Sequence, residues 1–190
     1  MHDLLASLGL VEISRINHNI KFDIRYKTSN NFTKEILYPD EYICLLRTDT
    51  AKKLDKAQND LERTGYGLKI FDAYRPYPIQ KKLWEIVKDE RYVMKWPNPS
   101  VHNRGASVDL TLVLLDGKDI DMGTDFDDFS KKSSINYVNL PKEAIFHRNL
   151  LSGIMIKNGF LPIHTEWWHF NDSDYSRYDV LDYNFSGLQK

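Results

Sequence analysis

With a single cysteine, Cys44, the 190-residue chain cannot form an intrachain disulfide, so its fold must rest on a packed core. Cys44 lies in the apolar run Tyr42-Ile43-Cys44-Leu45-Leu46 and reads as a small buried hydrophobe, not a nucleophile. An excess of positive charge is also missing. Twenty-six basic residues face 27 acidic ones, for a net charge of -1, whereas a general nucleic-acid binder carries a basic excess or stripe. No nucleic-acid partner is therefore expected. No segment approaches the roughly 18 consecutive apolar residues of a membrane span, so no membrane partner is expected either. The stretch Met1 to Leu10 lacks the basic start and apolar stretch of a secretory signal. With the scarcity of cysteine, this makes the cytoplasm the expected location, or the periplasm if a signal has been removed. Internal repeats and low-complexity segments are absent, and the length suits one domain over 1–190.

Hydrophobic residues make up 42% of the chain, enough for a core, and their spacing outlines the elements. Val11 to Tyr26 contains the alternation Ile20-Lys21-Phe22-Asp23-Ile24-Arg25-Tyr26 and reads as strand, followed by a polar turn at Thr28 to Phe32. Thr48 to Thr64 reads as a helix. Thr48 or Asp49 is available to cap it, Ala51, Leu54, Ala57 and Leu61 share one face, and Gly65 and Gly67 are its stop. Leu68 to Tyr74 is strand-like, and Pro76 and Pro78 open a second helix to about Lys88. Trp96 to Arg104 reads as loop and Ser107 to Leu115 as strand. Asp116-Gly117 turns into an acidic loop, Asp119 to Asp128. Pro141 to Asn158 reads as a third helix ending at Gly159, Phe160 to Phe170 as strand, and the Tyr-rich tail after Asn171 as irregular. Helices and strands mix without a regular βαβ beat, which favours an α+β fold.

Two clusters carry chemistry. In Ser100-Val101-His102-Asn103-Arg104-Gly105-Ala106-Ser107-Val108-Asp109, His102 lies in a proline-flanked loop and Gly105 allows the chain to turn back sharply. Asp109 then falls inside an apolar strand, where a carboxylate is costly unless it is paired or bound to metal. The alternative is a strand-edge aspartate with a salt bridge and a solvated histidine. In Glu166-Trp167-Trp168-His169, an ideal strand would point Glu166 and His169 to opposite faces. Both can meet one metal only if the backbone leaves regular strand there, and the two tryptophans would then wall the site. The alternative is an aromatic core strand with a satisfied histidine. Together the clusters offer three metal ligands, His102, Asp109 and His169, and a base, Glu166. One carboxylate and two neutral imidazoles leave a zinc ion with residual positive charge, able to acidify water and polarise a carbonyl. His2, His18 and His147 are weaker candidates, and His164 could support the site from behind.

These residues resemble a known family. Ser100-Val101-His102 through Asp109-Leu110-Thr111-Leu112 resembles the SxHxxGxxxD signature of the zinc D-Ala-D-Ala peptidases, and Glu166-Trp167-Trp168-His169-Phe170 resembles their second signature. Phe71-Asp72-Ala73-Tyr74-Arg75-Pro76 is similar to their DxYRP segment. Asp121-Met122-Gly123-Thr124-Asp125-Phe126-Asp127 is similar to their MGxxFD loop, and Asp23-Ile24-Arg25-Tyr26 with Asn31-Phe32 to their N-terminal strand. The dipeptidase branch fits best, over about residues 20 to 170. The resemblance implies a compact α+β domain with a central antiparallel sheet and flanking helices, and one Zn2+ per chain on His102, Asp109 and His169. It also implies Glu166 as catalytic base and Arg75 as the arginine that steadies the tetrahedral intermediate. Tyr26, Ser100 and Asp127 match positions near the charged ends of a dipeptide, and Asp125 or Asp128 could replace Asp127. The segment before Ser100 is shorter than the family pattern, and Ser130 to Val138 lacks its histidines.

The expected activity is hydrolysis of D-Ala-D-Ala or a similar small dipeptide. Two alternatives stay open at this level: a carboxypeptidase or endopeptidase acting on peptidoglycan stem peptides, and a non-catalytic zinc-binding module of the same fold. The sequence leaves the oligomeric state open.

Overall fold

A computed structural model describes residues 2–181 and 183–185. The elements in chain order are α1 (His2–Ser7), β1 (Leu10–Glu12), α2 (Ile13–Ile16), β2 (Lys21–Phe22), β3 (Leu45–Arg47), α3 (Thr48–Glu62), β4 (Tyr66–Asp72), α4 (Tyr77–Val87), β5 (Ser107–Leu114), α5 (Lys142–Lys157), β6 (Phe160–Pro162) and β7 (His169–Asp172), with short 3-10 turns between them. Five strands form one sheet in the order β2-β4-β5-β7-β6, and β1 pairs with β3 in a small second sheet. The four strands from β4 to β6 are antiparallel neighbours, while β2 joins the edge of β4 in parallel. The architecture is the expected α+β class, with α3 packed against β4 and α5 against β5 and β6. No helix among the described residues is long and apolar enough to cross a membrane.

The helices follow from their apolar spacing. In α3, Ala51, Leu54, Ala57 and Leu61 are fully buried along one face. The cap differs from expectation. Arg47 occupies the N-cap without a side-chain cap bond, and Thr48 instead bonds the carbonyl of Gly9. Asp49 still lies in the first turn, where its charge complements the helix dipole. Gly65 ends the segment with φ +87, but Gly67 belongs to β4. A Cβ on Gly67 would come within 3.2 Å of Gln58 Nε2, and Gln58 Oε1 accepts from Leu68 N at 2.8 Å, so strand and helix approach closely there.

Two expected strands do not run through. Between Val11 and Tyr26 strand β1 gives way to the short helix α2, and only the two-residue strand β2 follows. Asn17 and Asn19 break the run with side-chain bonds, Lys21 and Phe22 are both exposed, and consecutive Arg25 and Tyr26 are both buried in a 3-10 turn. A strand with one face open to solvent cannot bury two neighbours in this way. Phe160 to Phe170 also divides, into β6 and β7, with residues 163–168 irregular between them. The expected irregular tail holds one 3-10 turn at Tyr175–Arg177 and then packs, with Leu181 and Phe185 buried, while its part beyond residue 185 lies outside the described residues.

β5 is the spine. Its neighbours are β4 and β7, and Val108, Leu110 and Leu112 point away from Asp109 into the main hydrophobic cluster. Cys44 joins the same cluster. Leu54→Ala, at a fully buried position of α3, is expected to lower stability by about 2–5 kcal/mol. The check is a shift in denaturant midpoint at unchanged slope.

Candidate active site

Register builds the centre of the site. A bulge at Phe71 shifts β4 so that Asp72 pairs with Asp109 of β5, which itself pairs with His169 of β7. Asp72, Asp109 and His169 thus lie in one row across three strands. His102 arrives from the 3-10 turn Val101–Arg104, which Ser100 caps and Gly105 closes with φ +69. The ligand atoms of His102, Asp109 and His169 lie within 4.8 Å of one another. His102 Nε2 is 3.3 Å from Asp109 Oδ2 and 3.3 Å from His169 Nδ1, and His169 Nδ1 is 2.9 Å from Asp109 Oδ1.

The donor chemistry fits a cation. His102 Nδ1 lies 2.7 Å from the Ala73 carbonyl, which only accepts, so the ring's proton belongs there and Nε2 is bare. His169 Nε2 lies 2.9 Å from Asn171 Oδ1, and donation to that oxygen leaves Nδ1 bare. Two lone pairs and a carboxylate then face a common point with no proton between them. The two 3.3 Å separations match the edge of a tetrahedron with bonds of about 2.0 Å, the geometry of zinc with nitrogen and oxygen ligands. The outer hydrogen bonds set the ring tautomers and orientations.

Glu166 lies in the turn that enters β7, with its carboxylate 3.9 Å from His169 Nδ1. The break between β6 and β7 is what lets Glu166 and His169 converge, as their spacing requires. Burial raises the Glu166 carboxyl well above its ordinary pKa, and the negative charges of Asp109 and Asp127 push it further, with Arg75 opposing. Of the two tryptophans only Trp168 lines the cavity. Trp167 turns the other way and donates Nε1–H to Thr124 Oγ1 at 2.8 Å. Arg75 is buried and donates Nε–H and Nη2–H to Asp72 Oδ2 at 3.0 and 2.8 Å and Nη1–H to Gln80 Oε1 at 3.0 Å. Its Nη2 is 3.8 Å from Asp109 Oδ2.

These groups open on a cavity of about 180 Å³, whose wall includes Tyr26, Arg75, Ser100, Asp127, Glu166 and Trp168. The Tyr26 hydroxyl donates to Asp127 Oδ2 at 3.0 Å. Burial and the charge of Asp109 hold the Asp127 carboxyl well above its usual range, against the Tyr26 hydrogen bond and Arg75. The neighbouring acids face elsewhere, for Asp125 pairs with Arg25 and Asp128 Oδ1 accepts from Ser130 N. Beside Asp127 the wall continues as three aromatic rings from three loops. Phe129 lies 5.1 Å from Phe32 and 4.7 Å from Tyr92, centroid to centroid.

A sequence model described as D-ala-D-ala dipeptidase matches residues 6–189. The chain belongs to this peptidase family. It is 34% identical to the D-alanyl-D-alanine dipeptidase of Escherichia coli (strain K12), covering 93% of the chain and 91% of that protein. It is 27% identical to the D-alanyl-D-alanine dipeptidase of Enterococcus faecalis, covering 94% and 98%, and 29% identical to that of Enterococcus faecium, covering 86% and 91%.

Within this family member, the eight residues singled out from the sequence all line the one cavity. His164 does not. It is exposed and lines a separate groove with Lys131 and Tyr137. His18 is exposed, and His147 bonds the Asp121 carbonyl. Sequence reasoning missed four contributors. Asn171 was detectable, since it shares the strand face of His169 two residues on. Asp72 stood in the Phe71–Pro76 segment beside Ala73, whose N donates to Oδ1 at 2.9 Å, but Tyr38, which donates its hydroxyl to the same oxygen at 2.6 Å, comes from elsewhere in the chain. Phe129 and Tyr92 gave no signal until their loops were placed.

Asp72 is fully buried and holds Arg75. Asp72→Ala would leave that guanidinium buried beside a lost partner, at a cost of about 3–5 kcal/mol. Asp72→Asn keeps the shape and one acceptor and is expected to cost less. Thermal unfolding of the two variants checks the order, and equal losses would show that the charge of Asp72 is not what holds Arg75.

Proposed function

We propose that the protein is a zinc-dependent dipeptidase that hydrolyses D-alanyl-D-alanine, or a closely similar dipeptide, to free amino acids, and that residues 1–190 form one catalytic domain. The observation that carries this reading is the convergence of His102, Asp109 and His169 with Glu166 and Arg75 on a cavity of about 180 Å³. That volume is well below the roughly 300–1,000 Å³ of sites for drug-sized ligands. The activity named for the relatives, D-alanyl-D-alanine dipeptidase, supports the same substrate class.

His102, Asp109 and His169 would hold one Zn2+, which supplies Lewis acidity toward the scissile carbonyl and lowers the pKa of the attacking water. Glu166 takes the proton of that water and delivers it to the departing amine. Burial, which raises the pKa of this carboxyl, strengthens it as a base. Arg75, immobilised by Asp72 and Gln80, presents a fixed guanidinium to the oxyanion that forms on the carbonyl. Asp127, with the Tyr26 hydroxyl on one oxygen, takes the substrate's free ammonium. The Ser100 hydroxyl is offered to the carboxylate end. The aromatic row of Phe32, Phe129 and Tyr92 beside Asp127 leaves little room for a longer amino-terminal extension, which disfavours action on stem peptides within a polymer.

Glu166→Ala is expected to keep one zinc per chain while kcat falls by roughly 10²–10⁴, the usual contribution of a positioned base. Metal analysis alongside turnover checks this. Loss of zinc together with activity would make Glu166 a ligand, and unchanged turnover would remove it from the reaction.

The substrate assignment is tested with D-Ala-D-Ala against its N-acetylated form. The wild-type protein should prefer the free dipeptide, and Asp127→Asn should shrink that preference by weakening the free dipeptide selectively in kcat/KM. A wild-type preference for the blocked peptide would replace the dipeptidase reading with a carboxypeptidase or endopeptidase. Binding of zinc without hydrolysis of either would favour a non-catalytic module.

A further inference from the structure

Asp127 adopts φ +58, a left-handed conformation that a non-glycine residue keeps only where its surroundings hold it. The loop that carries it has little regular backbone pairing and is gripped from two sides. From one side Arg25 bonds Asp125. From the other, buried Arg148 of α5 reaches across the loop. Its Nε donates to Met122 O at 2.6 Å, its Nη1 to Lys132 O at 2.8 Å and to Ser134 O at 3.4 Å, and its Nη2 to Thr124 Oγ1 at 3.3 Å.

Thr124 extends this grip in two directions. Its Oγ1 accepts from Trp167 Nε1 at 2.8 Å, and Trp167 adjoins Glu166 in sequence. The Arg148 guanidinium also lies 5.4 Å over the Trp167 ring. In the other direction Thr124 Oγ1 lies 3.2 Å from Ser133 Oγ, and Ser133 Oγ–H donates to the Asp128 carbonyl at 2.5 Å, one residue from Asp127. Among the described residues Arg148 forms no ion pair with a carboxylate. The nearest opposite charges, Asp121 and Asp128, act on it only at a distance, so its direct bonds are spent on loop oxygens and not on a paired carboxylate. Burial lowers its pKa to about 10, which leaves it charged at neutral pH. Its bonds go to the loop that bears Asp127, at Met122 and Thr124, and to the turn that follows it, at Lys132 and Ser134, and its ring contact goes to the neighbour of Glu166.

We infer that Arg148, acting through Thr124 and Ser133, is a positioning residue for substrate selection: it fixes the loop of Asp127 against the Glu166-Trp167 segment and so sets the distance between the amine reader and the base. This inference rests on the reading of Asp127 as the group that takes the substrate's ammonium.

The test is a double-mutant cycle on the zinc-loaded protein with D-Ala-D-Ala, measuring kcat and KM separately, with zinc content and thermal midpoint followed for each variant. Thr124→Val keeps the shape and removes the shared acceptor. Arg148→Lys keeps a charge but cannot reach all four oxygens. Either is expected to raise KM about tenfold, the scale of one lost hydrogen bond, with kcat within about threefold. In the Asp127→Asn background the same change should move KM less than about twofold, because the group being positioned is gone. Equal effects of Thr124→Val in both backgrounds, or a fall in kcat with KM unchanged, would make Arg148 a purely structural residue and overturn the inference. If Asp127→Asn lowers kcat/KM for the free and the N-acetylated dipeptide equally, Asp127 is not the amine reader and this role for Arg148 falls with it. A selective Asp127→Asn beside a non-coupled Thr124→Val sinks the role of Arg148 alone.

Discussion

The crowding of negative charge around one small cavity constrains the rest of this structure. Asp72 and Asp109 sit side by side on neighbouring strands, and Glu166 and Asp127 face the same space from two turns. Arg75 is the buried cation among them, and it is shared between Asp72 and Asp109. Four carboxylates against one guanidinium are not a stable buried arrangement unless further positive charge is supplied or protons are taken up. Burial raises the carboxyls of Glu166 and Asp127, and that deficit raises them further. A divalent ion on the three converging ligands would offset two of these charges, and a substrate ammonium would pair locally with Asp127, although a dipeptide as a whole brings no net charge. The proposed zinc therefore answers most of the electrostatic requirement, and the proposed ammonium answers it at Asp127.

The sheet meets this constraint by local departures from regularity. One extra residue in β4, Phe71, brings Asp72 opposite Asp109, where an unbroken ladder would have placed it elsewhere. Asp72 can then be satisfied by Tyr38, Ala73 N and Arg75 together, which makes a fully buried carboxylate tolerable. The interruption between β6 and β7 works in the same way for Glu166 and His169. The hydrophobic side of β5, with Val108, Leu110 and Leu112, holds the strand rigid behind these polar positions.

The legibility of the sequence followed the range of the interactions. Asp109 stood out because a carboxylate in the middle of an apolar strand violates a purely local pattern, and the pairing of Glu166 with His169 could be stated as a required break before its form was known. The segment from Val11 to Tyr26 misled because alternation in Ile20 to Tyr26 does not reflect one buried face. Arg25 turns to Asp23 and Asp125, and Tyr26 beside it turns to Asp127, both partners that a period-two reading cannot contain. The parallel pairing of β2 was invisible for a related reason, since it depends on where β4 lies. Arg148 gave no signal at all, because an arginine within a helix is ordinarily a solvated one, and its partners lie 14 to 26 residues away in the chain.

The two halves of the site are built from different material. The three converging ligands stand on β5, on β7 and on a capped 3-10 turn, elements fixed by backbone hydrogen bonds and by a buried core. Asp127 stands on a loop held mainly by side chains, through Arg25 on one flank and Thr124, Ser133 and Arg148 on the other. Backbone-held geometry resists substitution, whereas side-chain-held geometry changes with a single residue. On the proposed assignment, hydrolysis would be set by the first and substrate choice by the second. The mouth segments before Ser100 and after Phe129 adjoin the second half through Tyr92 and Phe129. On the same assignment, variation there can reshape which small peptide is accepted while leaving the geometry of His102, Asp109 and His169 intact, because no strand of the central row runs through those loops.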